Sequence, residues 1–320
     1  MIDLFPKLSD VLLTVLRDHT AGDPMNPDVK WTNLSREQIA CRMAAREMPI
    51  SRRIVRQLLR QHRFHRRRAV RNKTMGNHPD RNAQFENIAR LKKEYLAAGD
   101  PVLSMDTKKK ELLGNFYREG VIETQETVVT NDHDFASHAV GKLIPHGLYD
   151  VGRNEGFMHL NTSHDTSELA CDSIAAWWEQ QGRKHYPKAK RLLVLCDGGG
   201  SNSSTQYLFK EDLQKLATRL GLEIRIAHYP PYCSKYNPIE HRLFSQVSRA
   251  CRGVVFHTVE RAKHYMGKTE TTTGLKVVVG ILKKVYATGR KYLDSFKATM
   301  KIVFDPVLPK WNYTALPRPA

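Results

Sequence analysis

The sequence predicts an α/β domain preceded by a small helical segment. Two observations carry that expectation. Short apolar runs at 102–106 and 192–196, each closing on or just before an aspartate, read as buried strands. Residues to about 72 instead place apolar side chains at helical spacing. A third observation concerns the partner: 51 Lys and Arg against 33 Asp and Glu leave a net charge of +18. That excess favours a polyanion, nucleic acid ahead of an anionic membrane surface.

The 320 residues suffice for about two domains, and 41% hydrophobic content supports a sizeable core. No apolar stretch reaches the roughly 20 residues a membrane span needs. No secretory leader pattern opens the chain. The cysteines (Cys41, Cys171, Cys196, Cys233, Cys251) are scattered without a CxxC pair. A reduced cytosolic compartment without a zinc site is the expectation.

Element by element, residues 7–19 form a helix with Leu8, Val11, Leu12, Val15 and Leu16 inward. A loop rich in Pro, Asp and Gly follows. Ser35 and Gln38 form a capping box, because each side chain satisfies a free backbone N–H of the other. The helix they open buries Ile39 and Met43. Ser51 is the N-cap of the next helix, which turns Ile54, Val55, Leu58 and Leu59 inward and Arg52, Arg53, Arg56, Gln57 and Arg60 outward. Two short helices with a basic outer face suggest a helix-turn-helix for the major groove; a helical bundle with a solvated basic face is the alternative. The basic run at 62–71, with Arg66, Arg67 and Arg68, is expected on phosphates. The organisation expected is an all-α DNA-binding segment over 1–72, a helical linker over 73–100, a catalytic domain over 101–265 and a basic extension over 266–320.

Within the catalytic domain, strands are expected at 102–106, at 123–129 (alternating, rich in Thr and Val) and at 142–151. Asp165 and Glu168 suggest a capping box for a helix through Trp178. A strand at 192–196, a helix at 209–220 ended by Gly221, a strand at 223–227 and a helix at 237–251 complete the order. Three strands, helix, strand, helix, strand, helix is the order of a ribonuclease-H-like domain. The region past about 280 has no assignable core role.

Asp106 and Asp197 then fall at the carboxyl ends of strands, where open α/β sheets bind ligands. Glu240 opens the later helix. Two Mg²⁺ ions about 4 Å apart, held by carboxylates, serve phosphoryl transfer on DNA. Each acid also has an ordinary reading. Asp106 could pair with a following lysine. Asp197 before Gly198-Gly199-Gly200 could be a turn residue. Glu240 sits three past Asn237, with Pro238 between, as a capping-box glutamate would. Asp132-His133-Asp134 reads as a loop more readily than as a metal cluster, and Trp177-Trp178 as core.

The motifs Ser104-Met105-Asp106-Thr107-Lys108-Lys109-Lys110-Glu111, Asn131-Asp132-His133-Asp134-Phe135, Tyr149-Asp150-Val151-Gly152-Arg153-Asn154-Glu155-Gly156-Phe157, Thr162-Ser163-His164-Asp165-Thr166, Cys196-Asp197-Gly198-Gly199-Gly200-Ser201-Asn202 and Ile239-Glu240-His241-Arg242-Leu243-Phe244-Ser245 resemble those of ISAzo-type insertion-sequence transposases. Their catalytic module is the Rhodopirellula-type transposase DDE domain. The resemblance runs from about Trp31 to the tail. It implies a DDE integrase/transposase domain of ribonuclease-H-like fold that cuts and joins DNA with two Mg²⁺ ions, Mn²⁺ being a substitute. Asp106, Asp197 and Glu240 are the metal-binding acids it implies, the last two 43 positions apart (197 to 240). The partners it implies are double-stranded DNA, at element ends and target, and further copies of the chain in a synaptic complex. The compartment is the bacterial cytoplasm, at the nucleoid. Lys108, Lys109 and Lys110 are expected on phosphate, with His241, Asn202 and His164 as accessory residues. The chain departs from the family at Gly198, often Ala, and at Pro238, often Lys. Family members also carry sequence before the point matching Met1, so a truncated copy is an expectation. Two other readings stand beside the transposase: a DNA-binding remnant without chemistry, and a ribonuclease-H-type nuclease that cleaves without joining.

Overall fold

The structure, a computed structural model, describes residues 7–17, 20–23, 26–67, 78–292 and 294–318. It falls into two compact units, Met1–Lys73 and Thr74–Ala320.

In the first unit, α1 (Lys7–Arg17) is followed by β1 (Thr20–Asp23), β2 (Asn26–Thr32), α2 (Arg36–Ala44) and α3 (Arg52–Gln61). The segment expected as a loop is an antiparallel hairpin, with Thr20 opposite Thr32. Turn-forming residues mark a hairpin tip as readily as a loop, so the all-α expectation misses these two strands. The expected caps are present. Ser35 Oγ accepts from the Gln38 N–H, Gln38 Oε1 accepts from the Ser35 N–H, and Ser51 Oγ accepts from the Ile54 N–H. Leu12, Val15 and Leu16 of α1 share a core with Ile39, Met43, Val55 and Leu58. Each such side chain contributes about 1.5–3 kcal/mol on burial. Arg53, Arg56, Gln57 and Arg60 are exposed, as expected.

The second unit comprises α4 (Arg81–Ala97), β3 (Val102–Thr107), β4 (Glu111–Leu113), β5 (Gly141–Asp150), β6 (Glu155–Asn161), α5 (Ser167–Trp177), α6 (Arg183–His185), β7 (Arg191–Asp197), α7 (Tyr207–Leu220), β8 (Glu223–Tyr229), α8 (Ser245–Ala250), α9 (Val259–Gly267), β9 (Lys276–Ile281), α10 (Asp294–Thr299), β10 (Ile302–Phe304) and β11 (Asn312–Ala315). One π-helical turn, Trp178–Gly182, joins α5 to α6, and another, Glu240–Phe244, leads into α8. The sheet order is β10-β11-β8-β7-β3-β5-β6-β9, with β4 beside β5. β3, β5 and β6 form an antiparallel meander, and β3, β7 and β8 run parallel. That is the ribonuclease-H-like arrangement, with α5 and α7 as crossovers.

Both faces of the sheet are covered. Met105, Leu148, Val194 and Ile226 pack with Ile174, Trp177, Phe209 and Leu213 of α5 and α7. On the meander's other face, Leu143, Tyr149 and Met158 meet Ile239, Leu243, Phe244 and Val247. The helix expected as a linker is a layer of this unit: Ile88, Leu91 and Tyr95 of α4 pack on Val102, Leu193, Leu195 and Ala227. Arg191 fixes it further, bonding Asp100 at 2.6 Å and Glu94 at 3.0 Å.

Two further expectations are corrected. Residues 123–129 form no strand and lie exposed; the meander's third strand is β6. Thr and Val suit a pleated, half-buried surface, and here no neighbouring strand supplies one. The tail expected as an extension adds strands to both sides of the sheet. β9 pairs with β6, and β11 pairs with β8. Asn312 of β11 and Gln84 of α4 exchange buried amide bonds of 2.8 and 3.1 Å.

Candidate active site

Asp106 and Asp197 stand at the carboxyl ends of neighbouring parallel strands. Val102, Leu103 and Ser104 of β3 lie beside Leu193, Val194 and Leu195 of β7. Two residues further along both strands, the same register sets Asp106 beside Asp197. The apolar runs before them fix this placement, because burial on both faces leaves the polar side chain to the strand end.

Glu240 reaches the site by a tether. The buried Ser104 hydroxyl donates to Asn237 Oδ1. Asn237 Nδ2 donates to the Met105 carbonyl at 3.1 Å, and the Ile239 N–H donates back to Ser104 Oγ at 2.9 Å. Asn237 is therefore not a cap that spends its side chain on its own helix. It ties the start of the Glu240 segment to the strand that carries Asp106. Glycines let the segment close in. Gly147 of β5 lies opposite Asp106, and a Cβ there would stand 2.4 Å from the Phe244 ring. A Cβ on Gly156 of β6 would stand 2.4 Å from Leu243.

The acids sense one another. Burial pushes the Asp106 carboxyl up to about 8, and Asp197 and Glu240 add to the rise, while the Thr107 N–H opposes it. Burial also raises Asp197, with Glu240 and Asp165 contributing and the Gly199 N–H opposing. Among the described residues no group of three His, Cys, Asp or Glu is set closely enough to hold a metal ion as it stands. The three acids are instead half-buried neighbours, and Glu240 adds to the cost of charging both Asp106 and Asp197. Such an all-oxygen, anionic donor set fits a hard divalent cation, which relieves that cost.

Asp165 is a fourth acid at this end of the sheet. It accepts from Thr107 Oγ1 at 3.1 Å and pairs with Lys110 at 3.7 Å. The expected Asp165–Glu168 capping box is absent: Thr166 is the N-cap of α5, accepting from the Leu169 N–H at 3.2 Å. A threonine hydroxyl in an extended residue is itself a favoured N-cap, so the carboxylate of Asp165 is left for other partners.

Behind Asp197 lies a support from the tail. His228 Nδ1 donates to the Asp197 carbonyl at 2.9 Å, which leaves Nε2 to accept from the Tyr313 hydroxyl at 3.0 Å. The Trp311 ring lies against Gly198, where a Cβ would meet it at 3.2 Å. The buried ammonium of Lys210 faces Tyr313 at 4.6 Å from the ring centre, and burial lowers its pKa to about 8. The sequence signals for these residues were a serine inside an apolar run (Ser104), glycines inside strands and polar residues in the tail, none of them distinctive alone.

The remaining expected residues are dispersed. Lys108 is drawn into a pair with Glu111, which Arg118 also meets at 2.7 Å, so its ammonium is withdrawn from phosphate contact. Lys109 is exposed. Asn202 is buried in the turn Gly200–Asn202 just after Asp197. His241 is exposed. His164 is exposed and donates from Nδ1 to the Tyr286 carbonyl at 3.0 Å. Asp132 and His133 pair with each other at 3.2 Å on the surface. Trp177 and Trp178 are core. In the first unit Arg52 pairs with Glu37 at 3.6 Å, Arg66 and Arg67 are exposed, and Arg68 lies outside the described residues.

No helix among the described residues is long and apolar enough to cross a membrane. No curated protein matches the chain. Among solved structures it is similar to a pre-cleavage Mos1 transpososome, with 13% identity, 81% of this chain and 69% of that chain covered, and a TM-score of 0.44. It is also similar to a mariner Mos1 paired-end complex with Mg, with 14% identity, coverage of 80% and 68%, and a TM-score of 0.46. Residues 11–317 match the family described as the Rhodopirellula transposase DDE domain, and the chain belongs to that family of DNA transposases.

Proposed function

We propose that this transposase cuts DNA at the ends of its element and joins the freed 3′-hydroxyl to a target, with Asp106, Asp197 and Glu240 holding Mg²⁺. The observation that carries this reading is the tether that brings Glu240 to Asp106 and Asp197; burial raises the Asp106 carboxyl to about 8, and the two other acids add to the rise. When bound, two Mg²⁺ ions, or Mn²⁺ in their place, activate the attacking oxygen and stabilise the leaving one. Asp106 and Asp197 present their carboxylates from rigid strand ends. Glu240 adds the third from the segment that Asn237 pins. Lys109 and Lys110 border the site and steer the phosphate backbone towards it. Arg53, Arg56, Gln57 and Arg60 of α3 contact the element end. Arg52, Arg66, Arg67 and Arg68 add phosphate contacts that weaken with salt. The chain acts on nucleoid DNA in the bacterial cytoplasm, and two or more copies bring two ends together.

The test is a strand-transfer reaction with a pre-cut, labelled duplex taken from the DNA flanking the gene. Joined product in Mg²⁺ and none in EDTA is the expected result. Cleavage without joining would instead support a nuclease. End binding with neither reaction would support a remnant.

A further inference from the structure

Asp106 takes its orientation from the next residue. The Thr107 N–H donates to Asp106 Oδ1 at 2.7 Å, which fixes the rotation of that carboxylate. Thr107 is the last residue of β3, and successive side chains of a strand point to opposite faces, so its hydroxyl turns away from the Asp106 side chain. There it donates to Asp165 Oδ1 at 3.1 Å. His146, opposite Thr107 on β5, is buried with neither ring nitrogen bonded, and offers the hydroxyl nothing. A β-branched side chain is stiff at χ1, so a hold on the hydroxyl is also a hold on the backbone that carries the N–H.

Its own helix does not account for Asp165, because Thr166 makes the cap of α5. A fourth carboxylate at this end of the sheet adds to the cost of charging Asp197, and α5 gains no cap in return. The two oxygens of Asp165 have separate partners. Oδ1 takes the Thr107 hydroxyl, and Oδ2 lies 3.7 Å from the Lys110 ammonium. The Lys110 side chain is 45% exposed, and ion pairs so open to water contribute little. A hydrogen bond from a part-buried hydroxyl to a charged acceptor is of the stronger kind. Thr107 is therefore the group that Asp165 chiefly holds.

We propose that Asp165 is a positioning residue of the acid site: it holds the Thr107 hydroxyl, and through Thr107 it fixes the orientation in which Asp106 meets the metal, without touching the metal itself. Partners one bond behind a ligand set its direction and basicity, and metal affinity depends on them. The inference rests on Asp106 being a metal ligand, as proposed above, and goes beyond it by naming what aims that ligand.

The test uses the full chain without DNA and Mn²⁺ as the probe, the free ion being followed by electron paramagnetic resonance. Asp106→Ala marks the level at which the site is lost. Asp165→Ala and the nearly isosteric Thr107→Val should each need about tenfold more Mn²⁺ for half-saturation. Asp165→Asn keeps an oxygen for the hydroxyl and Thr107→Ser keeps the hydroxyl, so both should bind close to the parent. The double variant Asp165→Ala, Thr107→Val should bind no more weakly than either single one, because the two changes break one link. Metal-free thermal unfolding shows which variants fold; should Asp165→Ala fail to, Thr107→Val against Thr107→Ser decides. Asp165→Asn as weak as Asp165→Ala, or additive losses in the double variant, would overturn the proposal. A parent that binds no Mn²⁺ would overturn the acid-site reading along with it, whereas a binding parent matched by Thr107→Val would overturn this proposal alone.

Discussion

Asn237 and Ser104 join the two parts of the acid site. The Ser104 hydroxyl, two residues before Asp106, donates to the side chain of Asn237, three residues before Glu240. Strand and helical segment are thereby registered to each other by buried groups that have no access to water. A small error in that register would move one carboxylate relative to the others.

Removing either partner strands the other. Asn237→Ala leaves the Ser104 hydroxyl and the Met105 carbonyl short of a bond, at a cost of about 1–3 kcal/mol for each buried group left unpaired. Thermal unfolding should record that loss. DNA cleavage should fall further than the unfolded fraction explains, because Glu240 loses its aim. Equal cleavage by folded variant and parent would refute the positioning role.

Gly147 provides the space for the same approach. Gly147→Ala places a methyl against the Phe244 ring, and overpacking of this kind costs about 1–3 kcal/mol. Phe244→Leu in the same chain should recover much of the stability. A denaturant series on the single and double variants measures that coupling; additive losses would contradict it.

How much of this was legible in the sequence follows from burial. β7 and β8 were readable as apolar runs, and α7 as an amphipathic stretch closed by Gly221. The positions of Asp106 and Asp197 follow from their strands. The partnership of Asn237 with Ser104 was not readable, because it spans 133 positions and asparagine before proline has a sufficient local explanation as a cap. Residues 123–129 misled because Thr and Val favour a pleated neighbour without naming one. The tail strands were hidden by their length, three residues in β10 and four in β11.

Two buried histidines predict acid lability. His146 and His159 face each other across β5 and β6, and burial lowers them to about 3 and about 4, His159 adding to the shift at His146. A ring held neutral in the folded chain is protonated near 6.5 in the unfolded chain. Between pH 6.5 and 4 the unfolded state therefore binds more protons, and stability falls as pH falls. The slope should reach at most about 1.4 kcal/mol per pH unit for each ring. Unfolding free energies at pH 7 and pH 5, for the parent and for His146→Phe, measure it; an unchanged difference in the variant would contradict the assignment.

The tail supports Asp197 from behind. Tyr313→Phe leaves the buried His228 ring without its second bond, at a cost of about 1–3 kcal/mol. Ending the chain before Trp311 removes β11 altogether and exposes the edge of β8, so the truncated protein should be recovered mainly insoluble. A soluble, cooperatively melting truncation would show that β11 is dispensable.

The most direct measurement is Mg²⁺-dependent cleavage of a supercoiled plasmid carrying the flanking DNA by Asp106→Ala, Asp197→Ala and Glu240→Ala proteins, one at a time, with DNA binding followed in parallel. Each variant should bind its DNA as the parent does and leave the plasmid uncut. Cleavage by the Asp197→Ala protein at the parent's rate would contradict the assignment of this site.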